Sequence, residues 1–150
     1  MKVLPLALTG LLTLATQLGA QSPTPPIIEL RLAVTRAASG YAPRQLADTT
    51  FHVSERVLLS DADIQRADTS WSDDLLMVRY RLTSEAAARI AEMTKDREGD
   101  RIAVFFNGEF SSAIPLASPL SGRRGELDAV GPPKALDLAA QIVARWPPRR

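Results

Sequence analysis

Asn107-Gly108 narrows what this chain can become more than any other pair of residues. Both residues tolerate positive φ, which a type I′ turn requires at its two central positions, and that turn joins neighbouring antiparallel strands. The flanking sequence agrees. Ile102, Val104 and Phe106 alternate with Ala103 and Phe105 before the turn, and Glu109 to about Leu116 forms the return strand. Pro115 has no N–H to give a ladder, so that end lies at an edge or a bulge. A lone hairpin is marginal in water, so the remaining segments must cover its apolar side.

Those segments supply strands and two helices. Ile28, Leu30, Leu32 and Val34 alternate with polar or small residues, as in a strand with one buried face. Thr35 to Thr49 shows no period and contains Ser39-Gly40 and Pro43, which predicts a surface loop. Phe51, Val53, Val57 and Leu59 define another strand, with Glu55 a polar misfit on the same face. Ser60 caps a short helix expected to run to about Arg66, with Asp61 and Asp63 in its first turn. Ala67 to Trp71 pairs with Leu75 to Leu82 across Ser72-Asp73-Asp74. Thr83-Ser84-Glu85 opens a helix to about Arg97 that buries Ala86, Ile90 and Met93, and Gly99 stops it. Glu126 to Val130 adds a last strand. Pro132-Pro133 then opens a closing helix with Ala135, Leu138, Ala139, Ile142, Val143 and Trp146 along one stripe. This pattern of about six short strands and two amphipathic helices predicts an α+β fold, with both helices on one face of an antiparallel sheet.

Residues 1–20 read as an export signal: Lys2, an apolar run from Val3 to Ala15, and Leu18-Gly19-Ala20 before the cut. The run is shorter than the roughly 20 apolar residues that span a bilayer. Residues 21–26 form a proline-rich linker, residues 27–146 a single domain and residues 147–150 a tail. The expected location is periplasmic or secreted. With Lys2 set aside, 17 basic residues balance 17 acidic ones, which argues against a nucleic-acid partner. The absence of cysteine removes disulfides, thiol catalysis and thiolate metal sites, and one histidine removes any histidine-rich metal cluster.

No catalytic constellation emerges. His52 lies opposite Phe51 and Val53 and reads as an exposed strand histidine, with no nucleophilic serine motif beside it. Asp61 and Asp63 read as helix caps, and Asp73 and Asp74 as a polar hairpin tip, because the spaced acidic loop of a calcium site is missing. The loop from Gly122 to Gly125 lacks the lysine and the strand–helix setting of a phosphate loop. The expectation is therefore a non-enzymatic protein without metal or cofactor. Arg31, Met77, Arg79, Arg81 and Phe105 fall on outward strand positions, and on neighbouring strands they would form a mixed basic and apolar patch.

The order of motifs resembles that of SecD, the accessory subunit of the bacterial protein-export channel. Leu59-Ser60-Asp61-Ala62-Asp63-Ile64 is similar to the family's "LTGxDL" turn. The stretch from Leu82 to Thr94 is similar to its "LNxEGAxKFAELT" helix, and Gly99 to Phe110 to its "GKRLAIVLDGKV" hairpin. Ser112-Ala113-Ile114-Pro115 stands close to the "SAPVV" that follows. Arg124-Gly125-Glu126-Leu127 with Lys134 to Ala139 matches the closing segment. The resemblance covers roughly Phe51 to Arg145, the head subdomain of SecD's large periplasmic region, and implies a ferredoxin-like, SecD head-like sandwich. What the resemblance implies is a head fold without the family's transmembrane motor and without its base subdomain, unless Ile27 to Thr49 is a remnant of the base. The resemblance implies a binding module for extended or translocating polypeptide, with polypeptide or another envelope protein as partner. A small inhibitor or interaction protein that reuses the head fold against one folded partner is the alternative.

Overall fold

The computed structural model describes residues 24–128 and 134–148. The signal over residues 1–20, the first half of the linker, Val130 at the end of the expected last strand, Pro132-Pro133 and the last two residues of the tail lie outside the described residues. Eight strands and two helices follow in the order β1 (Ile28–Val34), β2 (Tyr41–Leu46), β3 (Thr49–Ser60), β4 (Ile64–Ser72), β5 (Leu75–Leu82), α1 (Ser84–Thr94), β6 (Arg101–Phe106), β7 (Glu109–Pro115), β8 (Arg124–Asp128) and α2 (Lys134–Arg145). The α+β class holds. The strands form two sheets rather than one, in the orders β2-β3-β1-β6-β7 and β4-β5-β8, and every pairing is antiparallel.

The division arises at Ser60 to Ile64. Where a helix to Arg66 was expected, Asp61–Asp63 makes one 3-10 turn. The chain leaves the larger sheet at the end of β3 and re-enters as β4 of the smaller one. Asp63 accepts a hydrogen bond from the Ser60 N–H at 3.0 Å and pairs with Arg89 of α1 at 2.9 Å. Asp61 accepts from the N–H groups of Ile27 and Ile28 at 3.0 and 2.9 Å. Both acids are therefore structural.

The segment expected as a loop over Thr35 to Thr49 contains β2. Pro43 obscures the strand in the sequence, but β2 is an edge strand, where a missing N–H is tolerated. Glu55 is accommodated by irregular pairing. Arg31 faces Val57 while Ala33 faces Val53, so β3 carries extra residues that turn Glu55 outward and bury Leu58 and Leu59 together. The turn at Asn107-Gly108 has φ of 52° and 79°, as expected for type I′, and Pro115 ends the edge strand β7.

One core runs between the sheets and helices. Ile28, Leu30 and Leu32 of β1 and Ile102, Val104 and Phe106 of β6 meet Leu76, Val78 and Leu82 of β5 and Ala135, Leu138 and Ile142 of α2. The helices divide the work: α1 packs on β3, and α2 on β4 and β5. Helix α1 ends at Thr94, earlier than expected. The Thr94 hydroxyl donates to the Ile90 carbonyl at 2.8 Å and accepts from the Leu120 N–H at 3.0 Å, which ties the loop before β8 to the helix. In α2 the expected stripe is narrower than the sequence pattern, because Val143 is 48% exposed. The Trp146 indole donates to the Ile64 carbonyl at 3.3 Å.

Removing α2 would uncover the inner face of β4 and β5. Fully burying a leucine or isoleucine is worth about 1.5–3 kcal/mol against a usual domain stability of about 5–15 kcal/mol. Residues 21–131 alone are therefore expected not to fold cooperatively, whereas deletion of residues 147–150 leaves the melting temperature within a few degrees of the parent. Thermal unfolding followed by circular dichroism checks both, and a cooperative transition in the shorter fragment would contradict the role given to α2.

Candidate functional site

The sequence placed Arg31, Met77, Arg79, Arg81 and Phe105 on one open face. The structure divides them between two sheets. Arg31 and Phe105 lie on the outer face of the five-stranded sheet, Arg31 on β1 and Phe105 on β6. Phe105 is buried there at 7% exposure, stacked at 5.1 Å on Phe110, which meets Phe51 edge-on at 5.9 Å. The Arg101 guanidinium lies 5.8 Å over the Phe51 ring. Arg31 is held by Glu29 and donates to the carbonyls of Ser54 and Glu55. This face is sealed by its own side chains.

Met77, Arg79 and Arg81 stand together on β5, on the outer face of the three-stranded sheet. Directly opposed residues share a face, so the register defines that surface. Arg66 of β4 faces Arg81, which faces Arg124 of β8. One step along the strands, Asp68 faces Arg79, which faces Glu126. One step further, Ser70 faces Met77, which faces Asp128. Arg79 is neutralised by Asp68 at 2.8 Å. Arg66, Arg81 and Arg124 are all exposed, and none has an ion-pair partner among the described residues. The first two rows line a shallow hollow of about 690 Å³.

Arg66 and Arg124 were missed because the sequence pattern assigned one to a helix end and the other to a loop. A period-2 reading would have found them: Arg66, Asp68 and Ser70 alternate with Ala67, Thr69 and Trp71, and Arg124 and Glu126 flank Gly125. Beneath the row, Tyr80 lies across its cross-strand partner Gly125. A Cβ on Gly125 would sit 2.2 Å from the tyrosine Cζ, so only glycine leaves room for this ring. Burial raises the Tyr80 phenol above its usual range.

The other candidates have structural positions. His52 is half-buried between Val34 and Pro43 on neighbouring strands. Asp73 and Asp74 form the two-residue tip of the β4–β5 hairpin, with Asp73 at φ 52°. Arg123 bonds the Leu82 carbonyl and the Gln65 side chain, so the Gly122 to Gly125 segment is anchored. Among the described residues no group of three metal-ligating side chains comes together, and no helix is long and apolar enough to cross a membrane.

The profile described as "SecDF, P1 head subdomain" matches residues 37–144, well over half of the chain. The chain belongs to the SecDF P1 head family. Two solved structures share the SecDF head fold with it. "Crystal structure of SecDF in Super-membrane-facing form" has a TM-score of 0.59 at 16% identity, covering 81% of this chain and 19% of that one. "Structure and function of a membrane component SecDF that enhances protein export" has a TM-score of 0.57 at 14% identity, covering 82% of this chain and 64% of that one. The chain thus spans less than two thirds of either SecDF structure. A comparison with curated proteins finds no match.

Two measurements probe this SecDF-type head surface. Like charges directly opposed across strands are destabilising by a few tenths to about 1 kcal/mol, so Arg81→Thr is expected to raise the unfolding free energy by about that amount. Gly125→Ala is expected to cost about 1–3 kcal/mol through overpacking, and less of it in a Tyr80→Leu background. Urea unfolding of the single and double variants reads both effects. A destabilised Arg81→Thr would show that the arginine row supports the fold.

Proposed function

We propose that this chain is a non-enzymatic, exported binding module that holds extended polypeptide on the outer face of β4-β5-β8. The observation that carries the reading is the row Arg66–Arg81–Arg124, which has no ion-pair partner among the described residues and lines a concave surface. Membership of the SecDF P1 head family supports a protein-export-related role and a place outside the cytoplasm. Met77, Arg79 and Arg81 remain contact residues in this reading, joined by Arg66 and Arg124. Arg31 and Phe105 belong to the sealed face of the other sheet. The larger sheet also offers poorer edges for an added strand, since β2 carries Pro43 and β7 ends in Pro115. The smaller sheet has an edge free of proline in β8.

The test is binding of a permanently unfolded polypeptide, reduced and carbamidomethylated, followed by fluorescence anisotropy beside its folded form. The exported protein is expected to bind the unfolded form only, and an Arg81→Glu, Arg124→Glu variant to bind it at least about tenfold more weakly, the effect of losing roughly 1.4 kcal/mol. Capture of one folded partner at fixed stoichiometry, with no affinity for unfolded chains, would replace this reading with that of a small interaction protein.

A further inference from the structure

The arginine row is a costly arrangement that the fold does not use. Strands in a sheet are about 4.8 Å apart, so Arg66, Arg81 and Arg124 place three guanidinium groups across roughly 10 Å of surface. Cross-strand partners of opposite sign would have stabilised the sheet, and the adjacent row has them: Arg79 sits between Asp68 and Glu126. The row is one side chain wide. Asp68 and Glu126 form one border. On the other side Gln65, Arg66 and Arg81 line a second hollow of about 360 Å³ with Arg145 and Trp146. There the Arg145 guanidinium lies 5.9 Å over the indole ring.

Resting on the polypeptide-binding reading above, we propose that this row selects acidic segments, its guanidinium groups taking the side-chain carboxylates of Asp or Glu at alternate positions of an extended chain. Alternate residues of an extended segment project to the same side about 6.4–6.8 Å apart, so two carboxylates fit within the length of the row. Guanidinium groups suit this ligand because their planar forks donate two parallel hydrogen bonds to a carboxylate. The borders argue for a linear ligand over an anionic lipid plane. A flat negative surface approaching this face would meet Asp68, Glu126 and Asp128 together with the arginines, whereas a single strand lies along the row and avoids them.

Labelled 12-residue peptides separate the possibilities: one with Glu at alternate positions, one with Gln in their place and one with Lys. Anionic phosphatidylglycerol vesicles serve as a fourth ligand. At low salt the Glu peptide is expected to bind about tenfold more tightly than the Gln peptide, the sum of a few exposed ion pairs, and the Lys peptide weakest. That ratio should shrink at about 0.5 M salt, where the screening length falls to a few ångströms. It should vanish in an Arg66→Gln, Arg81→Gln, Arg124→Gln variant that melts no lower than the parent. Arg124→Gln alone, on the edge strand, is expected to lower the ratio two- to threefold, and gives a reading if the triple variant does not fold. Arg44→Gln, at an exposed arginine on β2 of the other sheet, should leave the ratio unchanged. Equal binding of the Glu and Gln peptides, a ratio that survives loss of the row, or vesicles preferred over the Glu peptide would overturn the acidic preference and leave the polypeptide reading standing. Failure of every peptide to bind would overturn both.

Discussion

Asp61 accepts the N–H groups of Ile27 and Ile28 where β1 begins, and two residues later Asp63 receives the Ser60 N–H and the Arg89 guanidinium. These contacts fix the corner at which the chain passes from one sheet to the other. Hydrogen bonds to a charged acceptor are worth about 1.5–3 kcal/mol each, more than most single contacts in a domain of this size. They act on three elements at once. The central strand β1 is held at its start, helix α1 is drawn toward the end of β3, and β4 leaves at the angle that lets β5 and β8 face the larger sheet. Without this corner the two sheets would share no core, and the outer face of the smaller sheet would have nothing behind it.

Local pattern was legible wherever one residue type decides the geometry. Asn107-Gly108 identified its hairpin, Thr83 its helix cap and Pro115 its edge, because each depends on a dihedral angle or a missing donor that acts over a few residues. The alternation of Met77, Arg79 and Arg81 correctly gave a shared face. What the pattern did not carry was the identity of the neighbouring strands. Arg31 and Arg79 look equivalent along the chain, yet they belong to different sheets, since the separation is made by a three-residue turn whose acids read as ordinary caps. β2 was lost for a related reason: an edge strand needs neither alternation nor a full set of donors, so Pro43 and exposed polar residues look like a loop. Arg66 and Arg124 disappeared from view with the misassigned ends of their strands.

The two outer faces are finished in opposite ways. On the larger sheet Phe51, Phe105 and Phe110 close over one another beneath Arg101, so apolar area that alternation would leave in water is withdrawn without a covering helix. The smaller sheet keeps its charged side chains in solvent, and Gly125 gives the Tyr80 ring the space it needs below them. This asymmetry concentrates what the molecule offers to a partner on three short strands.

Pro43 and Pro115 mark the two outermost strands of the larger sheet. A second copy approaching either side would find a break in the ladder it tried to extend, so stacking of one molecule on the next gains few backbone bonds at each junction. The larger sheet is thereby a poor seed for a filament.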